Sequence, residues 1–224
     1  MPRFIAVLLL FVVIGFMSFN LYQKKKVVFF GDSITAAGVR PGGYIVKVGE
    51  LAAKDKLADS YAFIGAGVGG NKVYDLYLRM EEDVLSKKPD VVVIFIGVND
   101  VWHKRSYGTG TDSDKFEKFY RALIKRMSDQ QIKLVLCTPG AIGERTDFSN
   151  ELDGDLNSYS TIIRRLAGEY GLPLIDLRKA FLEYNLTHNK ENKESGILTT
   201  DRVHLNESGN ELVAEHMWKT IKSL

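Results

Sequence analysis

The chain has 224 residues, 26% of them charged, with a formal net charge of +2. That balance leaves no electrostatic footprint for nucleic acid, and the length suits one domain with a sizeable core once an apolar N-terminal run is set aside. The single cysteine, Cys137, lies in an apolar run, which excludes an intrachain disulfide and does not fix the compartment.

Phe4 to Tyr22 carries no charge; Arg3 precedes it and Lys24-Lys25-Lys26 follow. The run is just long enough to span a bilayer and longer than most signal-peptide cores. The reading is therefore an apolar helix within a membrane anchor or signal segment over 1–23, and a globular domain over 24–224. It places the protein in the cell envelope, anchored or secreted, with the membrane as a partner through this segment. Arg3 competes with the three lysines, so orientation stays open, as does oligomeric state. A buried core helix is the competing reading of the same run.

Val27-Val28-Phe29-Phe30 is a short apolar strand that stops at Gly31-Asp32-Ser33. Ile45, Val48 and Ala52 then mark a helix. Tyr61 to Ile64 reads as a second strand running into Gly65-Ala66-Gly67-Val68-Gly69-Gly70-Asn71. Val73, Leu76, Tyr77, Met80 and Val84 give a helix that Pro89 breaks. Val91 to Ile96 is apolar throughout and reads as a central strand, ending in Gly97-Val98-Asn99-Asp100. A polar loop is expected from Trp102 to about Asp114. Phe116, Phe119, Tyr120, Leu123 and Met127 form the next helix. Ile132 to Cys137 is a fourth strand, followed by a loop to about Asp153. Leu156 to Tyr170 is a helix with Gly171 as its cap, and Leu172 to Ile175 begins a fifth strand. A polar stretch from Thr187 to Gly196 precedes Asp201-Arg202-Val203-His204, and Leu212, Val213, Met217 and Ile221 face one side of a last helix. Strands alternating with helices in this way read as an α/β domain with a five-stranded parallel sheet covered on both sides.

Right-handed crossovers carry the ends of successive parallel strands to one rim, so Ser33, Gly70 and Asn99 converge there. A serine needs a base to become a nucleophile at neutral pH. Asp201-x-x-His204 offers a histidine with a carboxylate placed to hold one ring nitrogen and leave the other for Ser33. The backbone amides of Ser33 and Gly70 and the side-chain amide of Asn99 can donate to an oxyanion. No metal or cofactor is called for.

Gly31-Asp32-Ser33, Gly70, Gly97-x-Asn99-Asp100 and Asp201-x-x-His204 together resemble the four blocks of the SGNH/GDSL hydrolase superfamily, in order, across residues 31–204. The resemblance implies a flavodoxin-like three-layer α/β/α sandwich and metal-independent ester hydrolysis, with 24–224 as the hydrolase domain. It carries the nucleophile onto Ser33, the base onto His204, the orienting acid onto Asp201 and the oxyanion donors onto Ser33, Gly70 and Asn99. Gly70 rather than Gly69 matches because the family places this glycine before a polar residue, here Asn71. Ile34 replaces the usual leucine and is expected to pack inward.

Asp32 and Trp102 are candidates for touching substrate. Each has a structural alternative, Asp32 as an acceptor tying the rim together with Asp100, and Trp102, with Tyr107, as loop packing. Glu144 and Arg145 carry the same two readings. Gly65-x-Gly67-x-x-Gly70 also fits a dinucleotide fingerprint, but on the second strand, with Asp90 opening a strand where the ribose-binding acid should close one. His103, His188 and His216 show no ligand spacing with one another or with Cys137, and read as surface or packing residues. The expected substrate is a small acyl ester, first an O-acetyl group on a glycan. Alternatives are a lysophospholipase or thioesterase acting at the membrane, and a non-catalytic carbohydrate-binding module.

Overall fold

The computed structural model describes residues 23–224. Among them no helix is long and apolar enough to cross a membrane. The apolar segment expected to anchor or export the chain lies outside the described residues.

Five parallel strands form one sheet in the order β2-β1-β3-β4-β5. They are β1 (Lys25–Gly31), β2 (Tyr61–Gly67), β3 (Val91–Phe95), β4 (Lys133–Cys137) and β5 (Leu174–Ile175). This is the doubly wound order 2-1-3-4-5, in which the chain reverses direction across the sheet between β1 and β3. All of β3 is buried, as its unbroken apolar run requires. β5 is shorter than expected and occupies an edge, where Pro173 costs no ladder bond.

The helices are α1 (Ser33–Gly38), α2 (Tyr44–Lys54), α3 (Val73–Asp83), α4 (Val98–Ser106), α5 (Ser113–Ser128), α6 (Asp153–Tyr170), α7 (Leu177–His188) and α8 (Glu207–Ile221). Alternate residues of β1 show that the two faces are covered differently. Phe29 packs edge-on against Tyr44 of α2 at 5.7 Å, whereas Phe30 lies under the Arg79 guanidinium of α3 at 4.6 Å. Helices α2 and α8 pack together on the first face; α3, α5 and α6 pack in series on the second.

Besides the short β5 and the short helix α1, which the sequence does not predict, two longer elements depart from the sequence reading. The stretch after Asn99, expected as a loop from Trp102 onward, continues as α4 to Ser106. Gly97, at φ +130, turns the chain out of β3 in a conformation that only glycine adopts readily. Val98 and Val101 then seat the helix on the core. Asp100 in its first turn and His103, Lys104 and Arg105 in its last complement the helix dipole. Helix α7 was not expected at all. Asp176 caps its N-terminus, its side chain accepting the Lys179 N–H, and the helix buries Leu177, Ala180 and Phe181 at helical spacing. It also carries Arg178, only 1% exposed, which donates to Gly140 O, Asp153 and Asn157 and so pins both ends of the long loop after β4.

The register aligns the strand ends that matter. Gly31 sits beside Gly67 on one side and Phe95 on the other, and Phe95 sits beside Cys137. The segments that follow these residues therefore leave the sheet at one level.

Candidate active site

Ser33 is the first residue of α1, directly after the end of β1. Asp32 caps this helix, its Oδ1 accepting Ile34 N–H at 3.0 Å. The Ser33 N–H belongs to the first turn, whose amides have no intrahelical acceptor. Ile34 is 7% exposed and packs inward as expected. From the other end of the chain His204 brings Nε2 to 2.9 Å from Ser33 Oγ. Its Nδ1 lies 2.7 Å from Asp201 Oδ2. Asp201 Oδ1 accepts the backbone N–H groups of His204 and Val203 at 2.8 and 3.2 Å. A carboxylate can only accept, so the ring proton belongs on Nδ1 and the Nε2 lone pair faces the serine hydroxyl. Desolvation pushes the Asp201 carboxyl up, but the His204 backbone N–H, the His204 ring and the Val203 N–H outweigh it and hold the group below its ordinary range.

The turn after β2 closes over the serine. Val68 N–H donates to Gly31 O at 3.2 Å. A Cβ placed on Gly69 would lie 3.9 Å from Ser33 Cβ, and one on Gly70 would lie 3.8 Å from His103 Cε1. Gly70 has φ +76, which points its backbone in a direction that a larger residue adopts only under strain. Asn99, 2% exposed in the first turn of α4, donates one Nδ2 hydrogen to Asn71 O at 3.1 Å. Its second amide hydrogen remains for a ligand. Ser33, the Gly69-Gly70 turn, Asn99, Asp201 and His204 thus meet at one rim of the sheet. A hydroxyl backed by an imidazole and a carboxylate, beside several amide donors, is equipped for acyl transfer.

Other expected residues sit differently. Asp32 is 2% exposed and occupied in capping, so it is not on the cleft surface; its role is the structural one. Burial pushes its carboxyl up to about 7; the Ile34 N–H opposes the rise and the nearby Asp100 charge adds to it. Asp100 is fully buried and accepts Val73 N–H at 3.1 Å, tying α4 to α3; burial raises it also to about 7. Trp102 is half-buried one turn beyond Asn99 and packs on the core. His103, read from sequence as a surface or packing residue, stands beside Gly70 and stacks edge-on with the exposed ring of Tyr107 at 4.8 Å. Burial and the Lys72 charge lower its pKa.

Arg79 was not singled out by sequence. Its guanidinium donates to Gly31 O at 2.7 Å, Ala66 O at 3.1 Å and Asn71 Oδ1 at 2.6 Å. It therefore clamps the ends of β1 and β2 to the turn that carries Gly70. Only its helical position beneath Asn71, at i+8, hinted at this.

The dinucleotide reading finds no support. Asp90 accepts Lys26 N–H at 2.7 Å at the start of the strands, the edge opposite the glycine turn. Among the described residues no group of three or more His, Cys, Asp or Glu side chains is placed to hold a metal ion.

Fold and rim chemistry together define an acyl hydrolase of the three-layer α/β class. The chain belongs to the GDSL-like lipase/acylhydrolase family, whose sequence model matches residues 29–212, and so to the SGNH/GDSL hydrolase superfamily. It is a carboxylic ester hydrolase. A curated acetylxylan esterase of Geobacillus stearothermophilus is 29% identical over 213 residues, covering 88% of this chain and 94% of its own. The crystal structure of an acetyl xylan esterase, AlAXEase, matches with a TM-score of 0.86 and 65% identity over 88% of this chain and 99% of its own. Solved structures of Axe2, an acetylxylan esterase from Geobacillus stearothermophilus, are 28% identical over 88% of this chain and 94% of theirs, with TM-scores of 0.76 to 0.78. The catalytic mutants of Axe2 among them replace a serine, an aspartate and a histidine, the last two three residues apart.

Proposed function

We propose that the chain removes O-acetyl groups from a glycan, with acetylated xylan or its oligosaccharides as substrate, through Ser33, His204 and Asp201. The observation that carries this reading is the series of short contacts from Ser33 Oγ through His204 to Asp201. The acetylxylan esterases to which the chain is similar support the choice of substrate.

In the first half-reaction Ser33 Oγ attacks the acetyl carbonyl while His204 Nε2 takes the hydroxyl proton. The carbonyl oxygen, now negative, receives hydrogen bonds from the Ser33 and Gly70 N–H groups and from the free Asn99 amide hydrogen. Its collapse breaks the ester bond, and His204 returns the proton to the departing sugar hydroxyl. Acetyl-Ser33 remains. Water then attacks it, losing its proton to His204, and acetate leaves as Ser33 recovers its hydrogen. The His204 side chain is 37% exposed, so the second water reaches the base directly from solvent. Asp201 holds the ring and stabilises the imidazolium in both halves. The apolar segment from Phe4 to Tyr22 is proposed to bring this domain to the cell envelope, where extracellular glycans lie.

The test is acetate release from acetylated xylo-oligosaccharides by the wild type and Ser33→Ala, beside p-nitrophenyl esters from acetate to palmitate. The reading expects acetate release and a preference for the shortest acyl chain, both abolished in Ser33→Ala. Turnover by the alanine variant removes the nucleophile assignment. A preference for palmitate removes the glycan acetyl ester in favour of a lipid substrate.

A further inference from the structure

Glu144 lies in the loop after β4 and is fully buried, at 0% exposure. Its carboxylate accepts three backbone N–H groups, from Ile197 at 2.9 Å, Leu198 at 2.6 Å and Thr199 at 2.8 Å. Its own backbone joins the same region. Glu144 N–H donates to Glu194 O at 3.0 Å, and Asn189 Nδ2 donates to Glu144 O at 2.7 Å. Among the described residues it forms no ion pair; the neighbouring Arg145 pairs with Glu194 instead, as does Arg202. Burying a carboxylate without a cation is costly unless charge-assisted hydrogen bonds replace its water. Three converging N–H donors call for a group that only accepts, and a carboxylate is that group.

Those three donors lead straight into Asp201 and His204. Thr199 Oγ1 accepts Arg202 N–H at 3.2 Å, and Thr199 pairs with Leu205 in an isolated antiparallel bridge. Thr200 N–H donates to His204 O at 2.8 Å, and Asn206 N–H to Leu198 O at 3.0 Å. Between Asp201 and His204, Arg202 has φ +84, a left-handed conformation that a side-chain-bearing residue holds only under strain. Two contacts hold it there, the Thr199 hydroxyl at its N–H and Gly143 N–H at its carbonyl, the latter at 2.9 Å. Both trace back to Glu144, one through the segment that it anchors and one through its own chain neighbour.

We propose that Glu144 is a positioning residue: by anchoring residues 197–199 it keeps the strained turn from Asp201 to His204 wound, so that the imidazole stays aimed at Ser33. It touches neither substrate nor reacting atoms. The proposal rests on the reading of His204 as the base. A residue that served stability alone would lower the melting temperature and leave the kinetics of the folded protein unchanged.

The test is Glu144→Gln in the full chain, beside Thr199→Val and His204→Ala. Glutamine puts an amide donor against at least one of the three N–H groups. Its kcat should fall roughly 10- to 100-fold, as a displacement of about 1 Å at the base would give. KM should stay within about 3-fold of wild type, since binding contacts are untouched. Thr199→Val leaves Glu144 in place and removes the acceptor at Arg202. It should give the same pattern more weakly, and it carries the test if Glu144→Gln does not fold. Wild-type kcat in the folded Glu144→Gln protein, or in Thr199→Val if that is the one that folds, overturns the proposal. Full activity of His204→Ala overturns the base assignment and the proposal with it. An inactive His204→Ala beside a normal Glu144→Gln removes the positioning role alone.

Discussion

Replacing Asp32 by asparagine tests the electrostatics beneath the rim. The carboxyl is 2% exposed, and burial raises it from 3.8 to about 7. Between these values the folded protein holds a proton that the unfolded chain has released. The unfolded state then binds fewer protons, so stability falls as pH rises through this window and levels off above about pH 7. Asparagine keeps an oxygen for the Ile34 N–H, which Asp32 now accepts at 3.0 Å, and carries no charge at any pH. At about 1.4 kcal/mol per pH unit, the ceiling on the cost of the buried carboxylate is about 4 kcal/mol. Roughly 2.5 kcal/mol of it develops between about pH 5 and pH 8. In a domain of this size that corresponds to a Tm difference of about 5 to 10 °C. Thermal unfolding of both proteins at the two pH values and one ionic strength is the assay. Asp32→Asn should gain on wild type as pH rises. A difference that stays flat, or that narrows toward pH 8, refutes the buried, raised carboxyl.

Asn99→Ala removes the proposed oxyanion donor, so on that reading kcat should fall about 10²- to 10³-fold with KM nearly unchanged; steady-state kinetics showing a loss mainly in KM would count against the oxyanion role. The same change frees Asn71 O from its 3.1 Å bond and should cost stability of about 1 kcal/mol by denaturant unfolding. Arg79→Lys cannot reproduce a fork to Gly31 O, Ala66 O and Asn71 Oδ1, and should lower stability by about 2 kcal/mol while reducing kcat several-fold; an unchanged Tm and kcat would show that the clamp is idle. Exhaustive dialysis against EDTA should leave turnover intact, since the proposed steps use no metal; loss of activity restored by zinc or calcium would reject the mechanism.

The parts of this protein that are legible in its sequence are those with local causes. The apolar runs ending at Gly31 and Gly97 mark β1 and β3 because a strand buried on both faces can be nothing but apolar. Asp201 and His204 are legible because their contact spans only three residues and is made within one turn. Helix α4 was hidden because it lies on the rim and buries few apolar side chains, though its acidic start and basic end were available as a signal. Arg79 and Glu144 were not assignable for a different reason. Arg79 meets Gly31 across 48 positions, and Glu144 meets its three donors across 53 to 55. A charged side chain that serves distant backbone has no periodicity, and only the folded chain shows which carbonyls or amides it meets. Asp32 is the mixed case. The motif drew attention to it, and only burial separated the capping role from contact with substrate.

Ser33 and His204 are 171 positions apart. During synthesis the nucleophile proposed here leaves the ribosome well before its base. Helix α8 begins three residues after His204 and docks on α2, where Asn210 Oδ1 accepts Tyr44 N–H at 2.8 Å and Glu211 pairs with Lys47. Helix α8, docked on α2, thus holds the segment that carries His204 in place beside Ser33. A nascent chain stopped before Asp201 contains every strand of the sheet and still lacks an activated nucleophile. Turnover of a chromogenic acetate during refolding consequently reports the meeting of Ser33 with His204, which circular dichroism of the sheet and its helices does not isolate.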